Sequence, residues 1–372
     1  TGLNFCMLLP GPEAQQLATY LGWRFHGLRG GLVAGTLFVL PGLALILALS
    51  AAYVSFARTA WLAAVFFGLK AAVIAIVCQA LMRLSRRALT SSFHRVIAIA
   101  SFVALVVFRA PFPAIVAVAG LMGFFFAHQK PPTADKFERQ DNARSELLVK
   151  AGWTTVRGAA FGLCVWIAPL LISLYVFGGD SVFPQIAQFF AKIAVVTFGG
   201  AYAVLTYVAQ QAAGPLAWLS PREMLDGLAL AETTPGPLIL VLTFVGFLAG
   251  FRAPMGLSPL LGGALGGALA AWMTFIPSFI WIFAGAPYIE RLSQNRALSG
   301  ALSAITAAVV GVIGNLTLWF AMHALFRETG EWRLGPIAVG YPRLESIDLS
   351  ELALSGIALF ALFRLKLGLV EL

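Results

Sequence analysis

Apolar positions run along this chain in long unbroken stretches. Residues 3–23, 30–56, 61–81, 96–108, 112–127, 158–178, 185–210, 224–250, 260–285, 297–325 and 350–371 carry hardly any charge. A helix needs about 20 such residues to cross a bilayer, and most of these stretches reach that length. Barrel strands would instead alternate in polarity over segments of roughly 10 residues. The pattern predicts an all-α polytopic membrane protein with about 10–11 transmembrane helices, since lipid admits only helices and closed barrels. The two short stretches, 96–108 and 112–127, flank Arg109-Ala110-Pro111 and fit either two spans or one re-entrant hairpin.

Composition sharpens this reading. Apolar residues make up 60% of the 372 and charged residues 11%, against roughly 25% charged in soluble domains. The net charge of +9 does not point to nucleic acid, because the basic residues sit singly or in small groups between apolar runs. Arg83, Arg86, Arg87 and Arg95 crowd one loop without an acid, which places residues 82–95 in the cytoplasm. The linker 128–157 falls on the same side and divides the chain into a first unit, 1–127, and a second, 158–372. Cys6, Cys78 and Cys164 lie in apolar runs without metal-ligand spacing, and the four histidines are dispersed. No metal, cofactor or P-loop is expected. Leu298-Ser299-Gly300 with His323 lacks the glycine a nucleophile elbow needs at position 297, so no enzyme is expected.

The two units repeat each other. Pro10-Gly11-Pro12 recurs as Pro235-Gly236-Pro237, Thr19-Tyr20-Leu21-Gly22 as Thr243-Phe244-Val245-Gly246, and Gly30-Gly31 as Gly266-Gly267. Leu40-Pro41 recurs as Ile276-Pro277, and Ala71-Ala72-Val73 as Ala307-Ala308-Val309. The spacing widens around residues 251–262, marking an insertion. The first Pro-Gly-Pro segment is predicted to run from outside to inside and the second from inside to outside, so the halves are inverted. Inverted repeats with broken helices are a recurrent plan of secondary transporters, with substrate near mid-membrane.

Each break carries an acid: Glu13 directly after the first, Glu232 three residues before the second. Proline lacks a donor and glycine tolerates unusual dihedrals, so the helix must stop there and restart with free N–H groups. An intramembrane carboxylate is costly and is a functional candidate by default. Gln15, Gln16, Thr19, Thr233 and Thr234 place neutral hydrogen-bonding groups beside the acids. Lys70 lies near the centre of its span and either neutralises an anion or pairs with a carboxylate; Lys192 is a second cation, just before Phe198-Gly199-Gly200. Glycines at 27, 31 and 35, and at 262, 263, 266 and 267, suit close helix packing within or between chains, so a homodimer is allowed.

The stretch Asn4-Phe5-Cys6-Met7-Leu8-Leu9-Pro10-Gly11-Pro12-Glu13-Ala14-Gln15-Gln16 resembles the first-half signature of the chromate ion transporter family. Thr197-Phe198-Gly199-Gly200-Ala201-Tyr202, Trp218-Leu219-Ser220, Leu225-Asp226 and Ala231-Glu232-Thr233-Thr234-Pro235-Gly236-Pro237 resemble its second half. The resemblance implies a long-chain bacterial inner-membrane carrier that exports chromate, with the proton-motive force as the proposed drive. Sulfate, a tetrahedral dianion of similar size, is the alternative cargo, as is uptake or a channel in place of export. The first half's Phe-Gly-Gly helix is expected to precede Thr1, so the chain is expected to begin part-way into a longer protein.

Overall fold

A computed structural model describes residues 6, 9–56, 59–127, 145–196, 200–285, 295–335 and 337–365. Asn4, Phe198 and Gly199, with residues 128–144 of the linker, lie outside the described residues. The protein is a helical bundle, as its continuous apolar runs demand. Among the described residues, five helices are long and apolar enough to cross a membrane.

Helix α1 (Glu13–Phe56) leaves helical geometry at His26 (φ −132°) and Gly27 (φ 62°). The chain folds back there, because a Cβ on Gly22 would collide with Gly30 and Ala34, and one on Gly35 with Thr19. Residues 13–25 and 28–56 therefore form an antiparallel hairpin. Helices α2 (Ala60–Ala88), α3 (Ser92–Phe108) and α4 (Phe112–Ala127) complete the first half. Arg109, left-handed at φ 48°, caps α3 and turns the chain into α4.

Helix α5 (Ser145–Phe177) leads into α6 (Val182–Val196), α7 (Ala201–Ala212), α8 (Pro221–Thr233), α9 (Val241–Arg252), α10 (Pro259–Gly285) and α11 (Arg296–Leu325). Neither 185–210 nor 224–250 is a single span, which corrects the pattern-based expectation. Phe189 stacks on Tyr207 and packs edge-on to Trp218, so α6 and α7 run antiparallel. Arg252 at the end of α9 reaches Glu223 at the start of α8 and donates to the Trp218 carbonyl. Gly227 of α8 faces Phe244 of α9, so this pair is antiparallel too. Each pair is a re-entrant hairpin of two short helices, roughly 18–23 Å long at 1.5 Å per residue. The Phe-Gly-Gly segment joins the first pair and Pro-Gly-Pro the second. A 20-residue window sums the two short apolar helices and reads them as one span.

The repeat is visible in packing. Gly246 meets Gly266 and Ala270, as Gly22 meets Gly30 and Ala34, and the Thr243 carbonyl lies over Gly267 as the Thr19 carbonyl lies over Gly31. Helix α4 packs on α11 while α12 (Leu349–Phe360) packs on α2. Where the first half has α3, the second has a two-stranded antiparallel hairpin, β1 (Thr329–Leu334) and β2 (Ile337–Pro342), which turns at Gly335 (φ 58°). Its Gly- and Pro-rich sequence cannot sustain a helix. The hairpin lies beside the α3–α4 tip, where Arg109 pairs with Glu331. That face is opposite to the one carrying Arg83, Arg86 and Arg87, since α11 starts by His94 (Ser303 Oγ, 3.1 Å) and ends beside β1.

Candidate functional site

The two breaks are closed reciprocally, each by the other half. Gly11 has φ +125° and Gly236 φ +137°, conformations that an L side chain rarely adopts. A Cβ on Gly11 would stand 2.8 Å from Ser278 Oγ and 2.9 Å from Gln16 Nε2. A Cβ on Gly42 would stand 2.6 Å from the Pro235 carbonyl, and Gly42 also faces Gly236. Gly42 follows Pro41 as Ser278 follows Pro277, so the two contacts occupy repeat-equivalent positions on α1 and α10.

The first break is a polar nest. Gln16 Nε2 donates to the Pro10 carbonyl at 2.8 Å and Gln15 Nε2 to the Phe275 carbonyl at 3.3 Å. Gln15, Gln16 and Thr19 are fully buried. Among the described residues, Gln15 Oε1, Gln16 Oε1, Thr19 Oγ1 and Ser278 Oγ have no hydrogen-bond partner. Buried polar atoms are normally satisfied, so four orphans among the described residues set this break apart from its surroundings. Glu13 opens the restarted helix, at the positive end of its dipole.

At the second break Tyr202 Oη donates to Glu232 Oε1 at 2.6 Å. Thr233 and Thr234 return their hydroxyls to the carbonyls of Leu230 and Ala231, both at 3.0 Å. These two threonines therefore cap α8, and the orphaned hydroxyl nearby is that of Thr243. Glu13 and Glu232 sit at separate breaks and share no contact among the described residues.

Lys70 pairs with Asp226 (3.1 Å), whose other oxygen accepts from Tyr53 Oη at 2.8 Å. This cluster ties α1, α2 and α8 together across the halves. Lys192 is exposed beside Phe112, Pro113 and Tyr207, and among the described residues no acid pairs with it. Gly200, the N-cap of α7, is left-handed at φ 96°. Sequence reasoning missed Tyr202, Tyr53, Asp226 and Ser278 as site residues. Asp226 was detectable as an intramembrane acid in its own right, and Ser278 by its match to Gly42.

The family described as chromate transporter matches residues 1–124 and 184–371. A chromate transport protein of Pseudomonas aeruginosa is 33% identical over 85% of this chain and 70% of its own length. One from Cupriavidus metallidurans is 28% identical over 87% and 73%. An uncharacterised transporter of Methanocaldococcus jannaschii is 22% identical over 86% and 74%. No solved structure matches the chain.

Proposed function

We propose a function from the premise that this chain belongs to the chromate transporter family: it moves chromate across the bacterial inner membrane as a secondary transporter, outward and driven by the proton gradient. The observation that carries the reading is the reciprocal closure of the two breaks, with the unpartnered hydroxyls of Thr19 and Ser278 gathered at the first. A tetrahedral dianion held there would accept from Thr19, Ser278 and the free N–H groups of the restarted helix. Because each break is sealed by the opposite half, rocking one half against the other opens one side of the site as it closes the other.

Coupling falls to the acids. A dianion next to an ionised carboxylate is repelled, so Glu13 beside the first break favours the anion only when it holds a proton. Glu232 sits in the last turn of α8, where the helix dipole offers a carboxylate no support. The Tyr202 hydroxyl holds it in place. Arg83, Arg86, Arg87 and Arg95, with no acid among residues 82–95, support a cytoplasmic position for that face. On the opposite face Arg252, Arg327, Arg333 and Arg343 each pair with an acid.

Flux of radiolabelled chromate into inside-out vesicles, with sulfate as competitor and the pH gradient varied, tests this. Gradient-dependent accumulation that falls at least tenfold in Glu13→Gln or Glu232→Gln is the expected result. Undiminished gradient dependence in both variants would sink the coupling role. Accumulation confined to right-side-out vesicles would replace export by uptake.

A further inference from the structure

On the face opposite the arginine-rich loop, a cavity of about 500 Å³ opens between α7, α11, the α3–α4 tip and the β hairpin. It lies apart from both Pro-Gly-Pro breaks. Its floor includes Asn315, only 6% exposed, whose Nδ2 has no hydrogen-bond partner among the described residues. Gln210 and Gln211 line the wall with two more amides. One and two turns beyond Asn315 on α11 come Trp319 and His323. His323 Nδ1 engages the Trp319 carbonyl at 2.8 Å, which leaves Nε2 as the ring's remaining hydrogen-bonding atom.

Charge at the mouth has one sign in excess. Arg109 and Arg333 share a single carboxylate, Glu331, while Arg222, outside the lining, stands within electrostatic reach of both His323 and the acid Glu351. Among the described residues Glu331 is the one acid in the lining. A cationic rim over a floor of neutral donors, walled by Leu105, Leu318 and Met322, concentrates anions and strips part of their water. The lining offers amides and guanidiniums, a donor set for oxygen atoms arranged around a tetrahedral centre. It offers no aromatic stack for a planar ligand beyond Trp319.

From this we infer that the cavity is a second oxyanion site, a vestibule that binds the tetrahedral oxyanion group of a free dianion or of a lipid headgroup. It rests on the reading of the chain as an oxyanion carrier, and on that reading it is where the anion pauses after leaving the breaks. The neighbouring Lys192 takes no part, since it faces a separate small cleft.

Equilibrium binding of radiolabelled sulfate and chromate to the purified full chain in detergent tests it. Two classes of site are expected. Asn315→Leu and, independently, Arg109→Gln weaken one class about tenfold, while Asn315→Gln, which keeps the amide, restores it. Gln16→Leu removes the other class. Because Arg109 is at the exposed rim, its variant keeps the test alive should Asn315→Leu fail to fold. Native mass spectrometry of the same samples separates the sources: phospholipid retained by the wild type and shed by Asn315→Leu identifies a headgroup phosphate. If neither variant alters anion binding or bound lipid, the vestibule site is overturned. Loss of a single binding class in Gln16→Leu would then leave the carrier reading standing.

Discussion

Lys70 is carried into the bundle by an apolar helix, and Asp226 enters on another; neither has a charged counterpart in the opposite half, where Thr306 and Gly2 stand. The pair is 3.1 Å long, with 18% and 8% of the side chains exposed. Removing one partner of a buried pair costs roughly 3–5 kcal/mol, and replacing both with apolar groups is often neutral. Partial exposure of Lys70 puts this pair at or below the low end of that range. Asp226→Asn is therefore expected to lower the melting temperature in detergent, and Lys70→Met with Asp226→Leu to recover most of the loss. A double variant as unstable as the single one would mean that Tyr53 and Asp226, not the ion pair, hold the three helices. The sequence marks Lys70 as a charge needing a partner, yet cannot say which of several acids the fold brings to it.

Helix contacts in this protein depend on missing side chains more than on large ones. A Cβ on Gly266 would strike the Gly246 carbonyl, while one on Gly68, in the middle of α2, meets nothing within 4 Å. Gly266→Ala should thus destabilise the α9–α10 pair by about 1–3 kcal/mol, the usual range for overpacking. Gly68→Ala should gain up to about 1 kcal/mol from helix propensity. Thermal melts of the two variants side by side check the sign of each. The glycine spacing announces close packing in the sequence, and the repeat tells which glycines pair. What the sequence conceals is the direction of short helices: α6 with α7 and α8 with α9 each carry enough apolar residues for one span. Only cross-contacts such as Arg252 with Glu223 reveal that they turn back. The β hairpin is a further element-scale case. Glu331 is held below the usual carboxylate range by its bond from Arg333, with Arg109 adding to it, and Asp348 by its bond from Arg327. Acids with depressed folded values stabilise above their ordinary range, and that contribution disappears as pH falls through the folded value. A nitroxide at Thr329→Cys should stay immobile at about pH 5 and gain mobility only below about pH 4. Equal mobility at both would show that the ion pairs do not dock the hairpin.

At the scale of the molecule, re-entrant hairpins change which loops share a face without changing where the chain enters and leaves. Reading 185–210 and 224–250 as full spans puts residues 213–220 on the arginine-rich side. The observed hairpins put them on the opposite side, level with residues 253–258 and the vestibule. This matters for function, because the second-half break is then reached by helices that come from one face, while the first-half break opens a helix that leads to the other. On the proposed function, an anion at the breaks would be enclosed from both directions, and rocking of the halves would exchange access. Single cysteines at Pro215, Ser258 and Thr90, all exposed positions, decide between the arrangements once Cys6, Cys78 and Cys164 are replaced by serine. A membrane-impermeant maleimide should label Pro215→Cys and Ser258→Cys from the same side of intact vesicles and Thr90→Cys only from the other. Labelling of Pro215→Cys together with Thr90→Cys would restore two full spans in place of the hairpins.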